Sequence, residues 1–404
     1  MDFNDTPEEA AFRKKARKWL QEHAAKYAEP PTTPWSENEL LEHSRAWQQE
    51  KAAAGFAGIT WPADIGGQGG SEMDSVIFKD EEDRYHVPSI ALFRIGNNMA
   101  VSTIRKHGTP EQLKKYAVPT LRGDIGWCQL FSEPGAGSDL AAVRTRAVRE
   151  GENWRVNGQK VWSSWAHHAD WGLLLARTDP TVSKHKGITF FIIDMHSPGI
   201  DIRPIQQIDG NAEFNEVFFS DLLIPDSARL GSEGEGWACA MSLLMSERIG
   251  QAGVGGLTQR MLRKALYTPR GAEGTAIDSS AVQGAIAECY TLEQGLKYFR
   301  ARILTQLSQG SLPGAEAALV KLIFASNLQR ASARTMDLDG YSGVFAGPDS
   351  PGNQLIFDDY IWSSAMRVAG GADEVLRNQI AERVLGMPSE VRMDKNVAFE
   401  DLPT

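Results

Sequence analysis

The densest run of residues able to do chemistry is CQLFSEPGAGSDL, residues 128–140. Its PGAGSD turn exposes several backbone N–H groups and hydroxyls, which suits anchoring a phosphate or the polar edge of a ring. An ordinary Gly/Ser loop between a helix and a strand has the same composition, and turn chemistry alone favours that loop. A second run, NWRVNGQKVWSS from Asn153, places Asn157-Gly158 between two alternating stretches, the pattern of a β-hairpin, and ends on Trp162, Ser163 and Ser164. A third is WACAMSLLMSERIG, where Ala240, Leu243, Leu244, Glu247 and Arg248 recur at helical spacing. That spacing puts the Glu247-Arg248 pair on the helix's apolar stripe, an unusual place for a solvated pair and a possible place for an ion pair with a neighbouring helix.

Other common machinery is absent. GGQGGS at 66–71 and GAGSDL at 135–140 both miss the G-x-G-x-x-G spacing, and there is no G-x-S-x-G or H-E-x-x-H. Any nucleotide cofactor must therefore bind without a Rossmann fingerprint. His167 and His168 are adjacent, and side chains of adjacent residues in a strand or turn are expected to diverge, so no metal site is expected there. The cysteines, at 128, 239 and 289, are too few and too scattered for a disulfide framework or a zinc cluster.

The elements that must position these groups follow from periodicity. The first stretch reads as helical: Ala11, Phe12, Ala16, Trp19 and Leu20 follow a capping-type Thr6 with Glu9 three residues on. From about Gly126 the texture becomes β-rich, with WGLLLART, GITFFIIDM and FNEVFFSDLLIP separated by turn residues, and from Trp237 the helical period returns. The expectation is an α+β chain: an all-α domain over 1–125, an antiparallel β-barrel-like domain over 126–232 and an all-α domain over 233–404. Lys+Arg 42 against Asp+Glu 52 gives −10, so no basic field invites nucleic acid or anionic lipid. The N-terminal stretch is polar, and no apolar run approaches the roughly 18 residues of a membrane helix, so a cytoplasmic enzyme without membrane contact is expected.

The ordered motifs resemble the acyl-CoA dehydrogenase family. Its flavin signature is matched by Cys128, Ser132, Glu133, Pro134, Ala136, Gly137, Ser138 and Asp139, and its hairpin strand by Asn157, Gly158, Lys160, Trp162 and Ser164. HGTPEQLKKY at 107–116, EVFFSDLLIP at 216–225 and RNQIAERVLG at 377–386 fall in family order, so the resemblance covers nearly the whole chain. It implies a helical domain, a β-barrel-like domain and a four-helix domain, with FAD as cofactor. Residues 129–138, including Gln129, Phe131, Ser132 and Gly137, would bind the isoalloxazine edge; Trp162 would lie on the flavin face, with Ser163 and Ser164 beside it and the Ser164 hydroxyl directed toward N5. Ser138 would also meet the CoA portion of the thioester.

Several positions depart from the family pattern. Many members carry the catalytic base in a Tyr-Glu-Gly-Thr motif before the last helix, but here Gly370 falls where that glutamate would stand. The isovaleryl- and long-chain-type members carry it on an earlier helix just before an arginine, which implies Glu247 as base and Arg248 beside the substrate with Ser246. The backbone N–H of Gly370 would still polarise the thioester oxygen, and Gly371 would leave room for a branched or bulky acyl group such as a steroid side chain. Asp373 and Glu374 are the alternatives as base, or serve the cofactor or cap the last helix. The usual Arg-x-x-Phe-Gly that grips a neighbouring subunit's FAD is missing; Arg270 and Gln283 are the substitutes, and the usual Gln-x-x-Gly-Gly-x-Gly appears only as MDLDGYSGVF at 336–345. The assembly implied is a homotetramer or an α2β2 heterotetramer sharing its FAD sites, with electron-transfer flavoprotein as acceptor. A flavin-dependent monooxygenase or oxidase of the same fold is the alternative activity.

Overall fold

The computed structural model describes residues 5–29, 31, 35–250, 256–272, 274–308, 314, 318–340, 354–394 and 396–402, with backbone alone for 246–250, 304, 307, 308 and 354–356. The chain forms two compact units, Met1–Glu247 with Val391–Thr404, and Arg248–Glu390.

In the first unit, helices α1 (Pro7–His23), α2 (Glu37–Ala53), α3 (Glu72–Glu82), α4 (Ala91–Arg94), α5 (Val101–His107) and α6 (Pro110–Leu121) precede the sheet. Thr6 and Glu9 form the capping box expected for α1, and Ser36 with Glu39 and Thr109 with Gln112 cap α2 and α6 in the same way. Leu20, Trp47, Phe56 and Phe78 make a buried cluster among α1, α2 and α3.

The sheet comprises β1 (Trp127–Leu130), β2 (Arg146–Glu150), β3 (Asn153–Lys160), β4 (Trp171–Arg177), β5 (Ile188–Asp194), β6 (Ile200–Pro204), β7 (Asn215–Pro225) and β8 (Arg229–Leu230). Its order is β6-β7-β3-β2-β4-β5-β8, with β1 added beside β4. Most pairings are antiparallel; β1 and β2 each run parallel to β4. The Asn157-Gly158 pair does not form the hairpin turn its sequence suggests. β3 runs straight through it, and the two-residue turn lies at Gly151-Glu152, where Glu150 pairs with Asn153 and Gly151 has φ +64°. Asn157 and Gly158 sit instead at a register shift against β7, with the Asn157 amide and Asp221 hydrogen-bonded to each other. A side chain at Gly158 would meet Thr145 at 2.6 Å, so close approach to β2's lead-in segment requires the glycine.

Helix α7 (Gly236–Gly250) packs Cys239, Ala240 and Leu243 into the sheet's core, as its apolar stripe predicts. In the second unit α8 (Leu257–Tyr267), α9 (Ser280–Ser308), α10 (Ala318–Asp337) and α11 (Gln354–Met366) pack together around Leu257, Cys289, Leu328 and Ala331, and α12 (Asp373–Arg383) packs against α10. Among the described residues no helix is long and apolar enough to cross a membrane.

Candidate active site

Strand β1, paired with β4, leads into the signature run. Phe131 is buried and meets Phe190 edge-on at 5.8 Å, so only its backbone remains for a ligand. Gln129 and Ser132 are half-buried, whereas Gly137 and Ser138 are exposed. A Cβ built on Gly135 or Gly137 would meet nothing within 4 Å, so the chain's own packing does not demand these glycines. They border open space, as a backbone surface that approaches a ligand does.

Beneath this turn lies a buried ion pair. Lys160, at the end of β3, is fully buried and donates to the Phe131 carbonyl at 2.9 Å and to Glu133 Oε1 at 2.8 Å. Glu133 also accepts from the backbone N–H groups of Arg144 and Thr145 at 2.6 and 2.9 Å. Burial pushes the Lys160 ammonium down to about 8, against the pull of Glu133. Burial also pushes Glu133 up, but Lys160 and the backbone donors outweigh it and hold the carboxyl below its ordinary range. The pair fixes the two ends of the signature turn, joined also by the hydrogen bond from Val161 N–H to the Ser132 carbonyl at 2.9 Å. The alternation Trp154, Val156, Gly158, Lys160 carries the sequence signal for Lys160's burial, since it keeps the lysine in phase with two core residues. Sequence reading assigned neither Lys160 nor Glu133 a role.

Past Lys160 the chain turns sharply. Trp162 is left-handed, at φ +61°, and its indole is 59% exposed, touching Phe214 edge-on at 5.9 Å. A left-handed tryptophan costs on the order of 1–2 kcal/mol, and such strain persists where the surroundings dictate it. Trp162 is therefore no core residue; it is held out as a flat aromatic face. Ser163 is fully buried, with its N–H on the Asn215 carbonyl at 3.1 Å and its own carbonyl accepting from Asn215 Nδ2 at 2.9 Å. Among the described residues its hydroxyl oxygen has no hydrogen-bond partner. Ser164 is half-buried. An exposed aromatic face and exposed glycine backbone, on segments joined by the Val161–Ser132 hydrogen bond, suit a planar, polar-rimmed ring, and so fit a flavin.

The second unit holds Gly370, Gly371, Asp373, Glu374, Arg270 and Gln283. Gly370 and Gly371, between α11 and α12, have φ +67° and +101°. Among the described residues no hydrogen bond takes the Gly370 N–H. Lys321 of α10 donates to the Gly371 carbonyl at 2.6 Å and stands 3.5 Å from Asp373 Oδ1. Asp373 is buried, and Arg367 donates to its Oδ2 at 2.5 Å. That carboxylate is thus engaged within its own unit, anchoring the glycine pair, while Glu374 is exposed. Arg270 is exposed on a short ribbon, and Gln283 is exposed at the start of α9, its amide donating to the Ile277 carbonyl at 2.9 Å. Ser246, Glu247 and Arg248 belong to the helical backbone of α7, but their side chains lie outside the described residues, as does the second half, 341–345, of the MDLDGYSGVF segment.

The expected divergence of His167 and His168 is corrected. They close a single 3-10 turn, Ala166–His168, entered through a left-handed Trp165, and their ring centroids lie only 4.4 Å apart. All three cysteines are free and buried, and burial pushes the Cys128 thiol up, away from reactivity.

Comparison with known proteins bears directly on this arrangement. Residues 6–124, 128–222 and 234–385 match the N-terminal, middle and C-terminal domains of acyl-CoA dehydrogenase. Acyl-CoA dehydrogenase IpdE1 of Mycobacterium tuberculosis is 36% identical over 395 residues, covering 94% of this chain and 98% of the relative. Acyl-CoA dehydrogenase FadE34 of the same species is 37% identical over 83% of this chain, which spans 45% of that longer relative. Two solved structures superpose at 28% identity: the Tcur3481-Tcur3483 steroid ACAD, with TM-score 0.82, and the ChsE4-ChsE5 complex from Mycobacterium tuberculosis, with TM-score 0.83. Each comparison covers 96% of this chain and 100% of the other. The chain belongs to the acyl-CoA dehydrogenase family and is an oxidoreductase acting on acyl-CoA.

Proposed function

We propose that the protein is an FAD-dependent dehydrogenase that introduces an α,β double bond into a bulky acyl-CoA thioester of the steroid side-chain type. The observation that carries the flavin reading is Trp162, an indole held exposed in a strained backbone conformation at the end of β3. FAD would be held by the backbone of residues 129–138, by Ser132 and by Trp162, Ser163 and Ser164, with Arg270 and Gln283 contributing across a subunit interface. Bound there, FAD would supply the acceptor for the hydride leaving the β-carbon.

The chain's own residues perform the proton chemistry. Glu247 would take the α-proton, and the electron pair of that C–H bond would pass into the thioester as enolate. The Gly370 N–H would donate to the thioester oxygen as its negative charge grows, a contribution that is largest in the transition state. Lys321 and the Arg367–Asp373 pair would keep the glycine turn in place to do so. A carboxylate on an apolar stripe has its pKa raised toward the range useful for proton abstraction. Ser138 and Arg248 would hold the CoA portion and the acyl neighbourhood, with Ser246 beside them.

Two observations support a bulky acyl group. A glycine pair stands where many relatives carry a glutamate, which removes side-chain volume, and one structural relative is named a steroid ACAD. Glu247 favours dehydrogenation over oxygenation, since an oxygenase has no need of an α-proton base. Turnover with a steroid-type CoA thioester should exceed turnover with octanoyl-CoA, and clear preference for octanoyl-CoA would overturn the bulky reading. The ChsE4-ChsE5 relative, a complex of two named chains, supports a heteromeric assembly, of which α2β2 is the proposed form. Expressing this chain alone decides it: a colourless or substoichiometric product favours α2β2, and a stoichiometric yellow tetramer favours self-sufficiency. Electron-transfer flavoprotein is the proposed acceptor.

A further inference from the structure

Glu37, His167 and His168 converge on one point, the two histidines five and six residues past Trp162. Glu37 is the first residue of α2, and the two histidines close the turn that follows Trp165. His167 Nε2 lies 2.5 Å and His168 Nε2 2.7 Å from the same oxygen, Glu37 Oε1. Potential ligand atoms of all three lie within 4.8 Å of one another.

The proton positions make this convergence informative. Asn215 is fully buried, and its Nδ2 donates to the carbonyls of Ser163 and Glu213 at 2.9 and 3.1 Å. Those two acceptors fix the amide orientation, so Asn215 Oδ1 faces His167 Nδ1 at 2.9 Å and must accept its proton. In the neutral ring Nε2 is then a bare lone pair aimed at a carboxylate oxygen. Two electron-rich atoms in contact repel, so a positive charge belongs between them, either a proton or a cation. A histidine that gives one ring N–H to a fixed acceptor and leaves the other nitrogen bare is arranged as metal-ligating histidines are.

We propose that Glu37, His167 and His168 form a site for a zinc-type divalent cation. Two imidazoles and one carboxylate suit zinc better than the all-oxygen ions calcium and magnesium. Bonds of about 2.0–2.1 Å in a tetrahedral arrangement separate donors by about 3.3 Å, so the present contacts need to open by less than about 1 Å. Glu37's side chain is 43% exposed, which leaves a fourth position to solvent. Through Asn215 and Ser163 the ion would clamp the first turn of α2 to the segment carrying Trp162 and Ser164. Metal binding would displace any proton held between His167 and Glu37.

The test uses purified full-length protein, stripped with a chelator and titrated with Zn2+ by calorimetry and with Co2+ by visible absorption. Wild type should bind one Zn2+ per chain, show the intense absorption of tetrahedral Co2+, and melt at higher temperature with Zn2+ present. His168→Ala and Glu37→Gln should each weaken binding by at least about tenfold, since even second-layer changes at zinc sites cost 10–100-fold. Circular dichroism of both variants establishes that they fold. Equal Zn2+ binding by wild type and both folded variants would overturn the site, as would a wild type that binds none and keeps a protonated His167 beside Glu37.

Discussion

Replacing Lys160 with methionine should destabilise the first unit and loosen the signature turn together. The lysine is fully buried, and its removal leaves Glu133 as a buried anion with two backbone donors and the Phe131 carbonyl without its ammonium partner. Breaking a buried ion pair from one side costs about 3–5 kcal/mol. The two N–H groups at 2.6 and 2.9 Å still solvate part of the Glu133 charge, which places Lys160→Met near the lower bound, about 3 kcal/mol. At about 2–4 °C per kcal/mol for a domain of this size, the melting temperature falls by about 6–12 °C. Adding Glu133→Gln removes the stranded charge, so the double variant should recover about 1–3 kcal/mol relative to the sum of the singles. Thermal unfolding by circular dichroism measures the stability, and equilibrium dialysis measures FAD retention, which should fall in Lys160→Met. A single variant within about 1 kcal/mol of wild type, or strict additivity in the double, would refute the view that this pair organises the turn.

Three further outcomes follow from the same geometry. Trp162→Gly relieves a left-handed side chain, so the protein without FAD should melt no lower than wild type while FAD affinity drops; lost stability with intact affinity would reverse the assignment. Asp226 is held down to about 2 by hydrogen bonds from Arg229 and Trp154, so its stabilisation is present above the ordinary 3.8 and is lost as pH falls from about 4 through about 2. Asp226→Asn should therefore flatten the acid limb of stability in that window and cost up to about 2 kcal/mol at neutral pH, and a superimposable limb would contradict this. Lys321→Met strands the Gly371 carbonyl and part of the Asp373 charge, so kcat should fall more than KM rises; unchanged kcat in a folded variant would separate the glycine turn from catalysis.

Much of the fold is legible in the sequence because its signals are local. The Thr6–Glu9 capping box, the apolar stripe of α7 and the β-rich segments each need only a few residues of context. The Asn157-Gly158 pair misleads for the same reason: its turn preference is local, but pairing with β7 across the sheet converts it into a bulge. Trp162 is picked out by motif order, while its left-handed exposure is visible only in three dimensions. The Lys160–Glu133 pair spans 27 residues, and the Glu37–His167 contact spans 130, so neither partner announces the other along the chain. The histidines misled as well, because divergence of neighbours holds for a strand and fails in a 3-10 turn entered through a left-handed residue.

The central claim is that this chain, loaded with FAD, takes an α-proton with Glu247 from a bulky acyl-CoA. Anaerobic titration of the FAD-loaded protein with a steroid-type CoA thioester, followed by the flavin absorption band, tests it in one experiment. Wild type should bleach, and Glu247→Gln should keep its FAD and bind the thioester with the band intact. Bleaching at wild-type rate in Glu247→Gln would contradict the account.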